Sequence, residues 1–236
     1  MADAIRYNRI AHHGAGVLCP PGNTIEAIHL GVDAGADMIE IDVRTTRDEI
    51  LVLEHNTFRP SAGRDVPIKD LSFSQWQQIA EEEHNAPALA TLEAAFNAAA
   101  SRGVGLLLDI KDGGIEKLLA RLIRKVGADP RTLMLAAPSD ASKVILRSLD
   151  PRLPIAHKIE PNDVESFSPK IIDTINTEGV FWPAKLITKE RVARLIKKEV
   201  LVYAGPVSAS QEMRRLRDEC KVHGVVTEFP DVLATI

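Results

Sequence analysis

The feature that constrains this chain most is a rhythm. Short apolar runs at 9–12, 38–43, 104–110, 132–136, 155–158, 179–182, 201–204 and 224–227 alternate with longer amphipathic stretches. Brief runs rich in Val, Ile and Leu read as buried strands, and long stretches with apolar residues three and four apart read as helices. Segments 24–34 and 115–126 have that helical spacing, while 139–149 and 208–221 open with serine in the N-cap position. Thr188 begins another helix, whose polar face runs through 189–198. Eight strands joined by crossover helices predict a parallel sheet closed into a (β/α)8 TIM barrel. The competing architecture is a doubly wound open sheet, which usually carries a glycine-rich dinucleotide loop after its first strand. His13-Gly14-Ala15-Gly16 is too short a pattern for that loop. A barrel of this kind fills about the whole length, so residues 1–236 are expected to form a single domain.

One connection breaks the rhythm. Between Val43 and Ala94 lie a further strand-like run at 50–55, a polar stretch with Pro60, Gly63 and Pro67, and a helix-like segment at 72–82. This reads as an excursion inserted after the second barrel strand. Loops that follow strands lie on the C-terminal face, where barrel chemistry is done. The excursion would therefore bring His55 over the same mouth as His12.

The composition excludes several classes. A net charge of -4 offers no basic stripe, so no nucleic acid partner is expected. No apolar run is long enough to cross a bilayer. Residues 1–8 lack the apolar core of a signal peptide, and Cys19 and Cys220 match no metal or redox spacing. The expectation is a cytoplasmic protein with two free thiols.

Chemistry-bearing residues collect at the ends of the apolar runs. Successive side chains of a strand point to opposite faces, so Glu40 and Asp42 point together, and so do Asp109 and Lys111. Two acids alternating in a buried strand are costly unless something compensates their charge. A divalent cation with oxygen ligands would do so. The alternative is that one acid caps a helix and the other pairs with Arg44 or a lysine. Lys111 reads either as an ion-pair partner of Asp109 or as a point charge for a phosphate oxygen. His12 and His55 read either as structural residues or as an acid–base pair, since an imidazole can take either role near neutral pH. His13 either touches phosphate or packs. A serine hydrolase would need a nucleophile on a glycine-flanked elbow, and none is present.

Taken together, the motifs resemble the glycerophosphodiester phosphodiesterase family. The opening His12-His13-Gly14 and Pro21-Gly22-Asn23-Thr24 is similar to the family's His-Arg-Gly and Pro-Glu-Asn-Thr. The stretch from Ala34-Gly35-Ala36-Asp37 through Met38-Ile39-Glu40-Ile41-Asp42-Val43 resembles its Glu-x-Asp strand, His55-Asn56 its His-Asp pair, and Asp109-Ile110-Lys111 its Glu-x-Lys strand. Lys69-Asp70-Leu71 and the closing Gly224-Val225-Val226-Thr227-Glu228-Phe229-Pro230 also look like the family's pattern. The likeness spans nearly the whole chain and implies a (β/α)8 barrel. It implies that Glu40, Asp42 and Asp109 hold Mg²⁺ or Ca²⁺, that His12 and His55 are the acid–base pair, and that Lys111 contacts phosphate. The implied partner is a small phosphodiester.

This chain also departs from the family's pattern. His13 stands where the family has arginine, Gly22 where it has a metal-binding glutamate, Asp109 where glutamate is common, and Asn56 where it has aspartate. Tyr203-Ala204-Gly205-Pro206 replaces a Trp-Thr-x-Asn-like strand. The resulting Glu-x-Asp plus Asp set resembles the site of the phospholipase D toxins, a branch of the same superfamily that leaves a cyclic phosphate. Three functions follow as expectations. The first is a metal-dependent phosphodiesterase acting on a glycerophosphodiester-like or sugar phosphodiester. The second is a lyase that forms a cyclic phosphate. The third is an inactive barrel that binds a phosphorylated ligand or a partner protein.

Overall fold

The computed structural model describes residues 8–61, 63–82, 89–159, 177–233 and 235. The first strand, β1 (Asn8–Ala11), pairs in parallel both with β2 (Met38–Thr45) and with the last strand, β11 (Gly224–Thr227). Those two pairings close a ring. It continues from β2 through β6 (Gly105–Ile110), β7 (Leu133–Ala137), β8 (Ile155–Lys158), β9 (Gly179–Trp182) and β10 (Leu201–Ala204) to β11. The eight expected runs are the eight staves of a closed parallel barrel, and the open-sheet alternative is excluded.

Alternation sorts each strand into two faces. Ile39, Ile41 and Val43 of β2 and Leu106, Leu108 and Ile110 of β6 join the large cluster under the helices. The opposite set, Ile10, Met38, Leu107, Met134, Ala156, Tyr203 and Val226, packs inside the barrel as its floor. One pleat above Met38 and Leu107 come Glu40 and Asp109, so the acids begin where the apolar floor ends.

The helices among the described residues are α1 (Ile25–Asp33), α2 (Phe73–Glu82), α3 (Leu92–Arg102), α4 (Glu116–Val126), α5 (Asp140–Leu149), α6 (Lys189–Ile196), α7 (Ser210–Arg214) and α8 (Pro230–Leu233). Side chains of Thr24, Thr91, Ser139 and Thr188 accept the orphan backbone N–H of α1, α3, α5 and α6. Each such cap contributes about 1 kcal/mol. The alanine-rich α3 has a weakly patterned sequence, which is why apolar spacing alone does not announce it. The stretch 208–221 differs from expectation. Ser208 is not a cap; α7 starts at Ser210 and passes into a wide π turn, Arg215–Glu219. The reason is Val207, whose N–H bonds the Val226 carbonyl at 2.9 Å and whose side chain is buried, keeping the chain extended up to Ala209.

The excursion has its own small core. Strand β3 (Leu51–Leu53) runs antiparallel to β2, with Val43 opposite Leu53. A hairpin of β4 (Phe58–Ser61) and β5 (Arg64–Pro67) follows, then a 3-10 turn, Ile68–Asp70, and α2. Val52, Ile68, Leu71, Trp76 and Ile79 bury one another apart from the barrel's clusters. Among the described residues no helix is long and apolar enough to cross a membrane.

His223 supplies a pH test of the barrel seam. Its Nδ1 accepts the Val202 N–H at 2.9 Å, while its own N–H bonds the Val202 carbonyl at 2.7 Å. Burial pushes its pKa below the usual 6.5. The unfolded chain therefore binds the proton more readily, and stability rises with pH through this group. Its contribution is present above pH 6.5 and is lost as pH falls toward the folded-state value. His223→Asn keeps an acceptor without the titration. The melting temperature of the variant should fall less than that of the wild type between about pH 7 and pH 5. Parallel losses would show that His223 does not carry the effect.

Candidate active site

The register of β2 against β6 sets Asp42 directly beside Asp109. With Glu40 one pleat below, three carboxylates each offer an oxygen within 4.8 Å of the others. Asp42 is fully buried and Glu40 nearly so. Three like charges at this spacing need compensation, and the structure shows what supplies it.

Asp42 is held on every side. Asn23, on the loop before α1, donates from Nδ2 to Oδ2 at 2.7 Å and accepts the Asp42 backbone N–H at 2.9 Å. His13 brings Nε2 within 3.0 Å of Oδ2. Lys111 places Nζ 2.7 Å from Oδ1, an ion pair in a buried setting. Burial alone would raise the Asp42 pKa; His13 and Lys111 overcome it and hold the carboxyl well below the usual range. Glu40 goes the other way: burial first and the charge of Asp42 second push it up. Its Oε2 accepts the His13 backbone N–H at 2.9 Å.

Two ammonium groups meet at Asp109. Lys111 Nζ lies 2.5 Å and Lys158 Nζ 2.9 Å from Oδ2. Burial would lower the Lys111 pKa, but Asp109 and Asp42 raise it, so this lysine stays charged. The alternative expected for the acids is thus partly realised, since Lys111 pairs with Asp42. Arg44 does not: it bonds Asp112 at 2.6 Å instead.

The imidazoles form a row. His12 stacks on His13 with centroids 3.8 Å apart, and His13 lies 5.4 Å from His55. Burial, followed by the charge on His13, drives the His12 pKa down to about 3, so its ring is neutral. Its Nε2 stands 3.8 Å from Glu40 and its Nδ1 3.5 Å from Glu228. Burial opposes protonation of His13 too, but the bond to Asp42 and the charge of Glu40 outweigh it and raise that pKa. His55 is exposed at the rim. Arg44 pins its carbonyl at 3.0 Å while also bonding Thr57 and Asp112, and buried Glu54 accepts Asn56 N–H, Arg59 and Trp76. The excursion is therefore fastened to the barrel beside the residue it delivers.

All seven residues singled out in the sequence, His12, His13, Glu40, Asp42, His55, Asp109 and Lys111, converge on one mouth. Four contributors take roles that the sequence did not give them; Arg44, weighed as a partner for one of the acids, holds the His55 carbonyl instead. Asn23 sits inside a quoted motif, but nothing in its spacing signals a clamp on Asp42. Lys158 ends β8 two residues after inward-facing Ala156, a signal that alternation could have given. Glu228 and Arg44 act across loops that one-dimensional spacing does not register.

A site with this donor set fits a divalent cation. The carboxylate oxygens of Glu40, Asp42 and Asp109 are close enough to share one ion.

Residues 12–232 match the Glycerophosphoryl diester phosphodiesterase family. The chain belongs to that family. It is 28% identical over 240 residues to YhdW of Bacillus subtilis, a candidate glycerophosphodiester phosphodiesterase, with 95% of each chain covered. It is 26% identical to a second Bacillus subtilis protein, a glycerophosphodiester phosphodiesterase, covering 96% of this chain and 85% of that one. Among solved structures, an Oleispira antarctica phosphodiesterase in complex with the product sn-glycerol-3-phosphate superposes with a TM-score of 0.81 at 18% identity, covering 97% and 96% of the two chains. The glycerophosphodiester phosphodiesterase of Thermotoga maritima gives 0.80 at 18% identity, with 98% of each chain covered. Both structures share the barrel fold, and the family's enzymes are phosphoric diester hydrolases.

The Asn23 clamp is testable by stability. Asn23 has φ 56°, in the left-handed region. Asn23→Gly keeps that backbone but removes both bonds to Asp42, and should cost about 1–3 kcal/mol. Asn23→Ala should cost about 1 kcal/mol more, from strain. Urea unfolding of chelator-treated protein reads both; wild-type midpoints in the two variants would discard the clamp.

Proposed function

We propose that this protein hydrolyses a small phosphodiester, glycerophosphodiester-like or with a sugar group, to a phosphomonoester and an alcohol. One observation carries the reading: three acids, a row of imidazoles and Lys111 converge on one mouth in a chain of this family. The product named for the Oleispira antarctica relative, a glycerol phosphate, supports the same substrate class.

In this reading Glu40, Asp42 and Asp109 hold a divalent cation, Mg²⁺ or Ca²⁺. When bound, that ion would supply positive charge to a non-bridging phosphate oxygen as the transition state forms. The protein's own groups do the rest. Lys111, charged and pinned beside Asp42, contributes a fixed ammonium to the phosphate. His12 is neutral and can accept a proton from water as water attacks phosphorus; an anionic diester beside the ring would raise its basicity. His55, on the open rim, protonates the departing alkoxide. Water adds, one P–O bond breaks, and the alcohol leaves with the proton.

His12→Ala and His55→Ala should each lower kcat/KM on glycerophosphodiesters by at least about 10²-fold. Chelation should abolish turnover, and added Mg²⁺ or Ca²⁺ should restore it. Phosphorus NMR reads the product. An open monoester fits hydrolysis, a cyclic phosphate would replace it with the lyase, and full turnover by both alanine variants would reject the histidine roles.

A further inference from the structure

We propose that His13 is a nitrogen ligand of the metal at this site, and that the site therefore selects a later first-row dication such as Co²⁺ over Mg²⁺ or Ca²⁺. The inference rests on the proposed metal site of Glu40, Asp42 and Asp109 and goes beyond it.

Three groupings of potential ligands occur among the described residues, and they overlap. Besides the three carboxylates, His13 groups with His12 and Glu40, and again with Asp42 and His55. His13 is the residue that links both carboxylates of β2 to nitrogen. Its Nε2 already lies 3.0 Å from Asp42 Oδ2, while its backbone N–H holds Glu40 Oε2 at 2.9 Å. Two atoms that share a proton across such a contact are two donor atoms for a cation that displaces the proton.

The main chain is bent to deliver this ring. His13 has φ 51°, a left-handed conformation that a residue with a Cβ adopts at a cost, and such outliers gather where function needs them. Its carbonyl accepts the Asn23 N–H at 2.9 Å, which fastens the turn to the loop that clamps Asp42. The ring is also stacked on His12.

Gly22, at φ +80°, packs directly against this turn: a Cβ there would meet the His13 Cβ at 2.6 Å and its carbonyl oxygen at 2.8 Å, so the loop is held close behind the residue that carries the ring. Imidazole suits the later first-row dications, whereas Mg²⁺ and Ca²⁺ prefer oxygen.

The test uses the full chain and the metals themselves. Co²⁺, Mg²⁺ and Ca²⁺ are titrated by calorimetry into chelator-treated wild type, His13→Gln and Asp109→Asn, with circular dichroism reporting folding. Electron–nuclear double resonance of bound Co²⁺ reads ¹⁴N coupling. The wild type should bind Co²⁺ at least about 10-fold more tightly than Mg²⁺ and show directly bound nitrogen. His13→Gln should lose the nitrogen coupling and about 10-fold or more in Co²⁺ affinity, the scale set by disturbing a metal's supporting groups, with little change for Mg²⁺. If His13→Gln does not fold, His13→Asn, which also lacks an imidazole nitrogen, takes its place. Co²⁺ bound without nitrogen coupling, or coupling that survives the loss of His13, overturns the proposal but leaves the carboxylate site standing, provided Asp109→Asn weakens binding. No divalent binding by the wild type overturns both.

Discussion

The constraint on which the rest depends is the adjacency of Asp42 and Asp109 in neighbouring strands. Parallel pairing of β2 and β6 sets these residues side by side, and closure of the barrel leaves them nowhere to move. Every nearby feature answers the electrostatic demand that results. Lys111 and Lys158 bring charge to Asp109, and His13 and Asn23 satisfy Asp42. In a low-dielectric mouth such charge-assisted contacts are strong, and an uncompensated carboxylate would be costly. The same concentration of negative charge makes the mouth suited to a cation that, in turn, receives a phosphate.

Much of this was legible in the sequence because it is periodic. The eight strands follow from apolar runs, and the inward set on β2 follows from strict alternation, Met38, Glu40, Asp42. The convergence of His12 and His55 required one further inference, that loops after strands share a face. What stayed hidden depends on loop geometry. Nothing in the order Gly22-Asn23-Thr24 reveals that Asn23 curls back to bond Asp42, because a left-handed residue redirects the side chain. The false helix start at Ser208 is a case of tertiary bonding overriding a local signal: Val207 is taken by Val226 before a helix can begin. The helix α3 was missed for the converse reason, its alanines giving almost no sidedness to read.

The departures from the family's pattern also fall into order once placed in space. Position 13 and position 22 touch, and a Cβ at 22 would strike the Cβ of His13, so the loop needs glycine there. Asp109 is a methylene shorter than glutamate, and Lys158 reaches in to meet it. At Asn56 it is the backbone N–H that is held, by Glu54, and the His55 carbonyl is held by Arg44.

That last contact has a wider reach. Arg44 follows Asp42 by two residues on β2, so acids and guanidinium share one side of a single strand. Sliding that strand by one residue would turn the acids away from the mouth and release the rim imidazole in the same event. β2 is thus kept in frame by two separate duties at once, one to the acids and one to the rim imidazole.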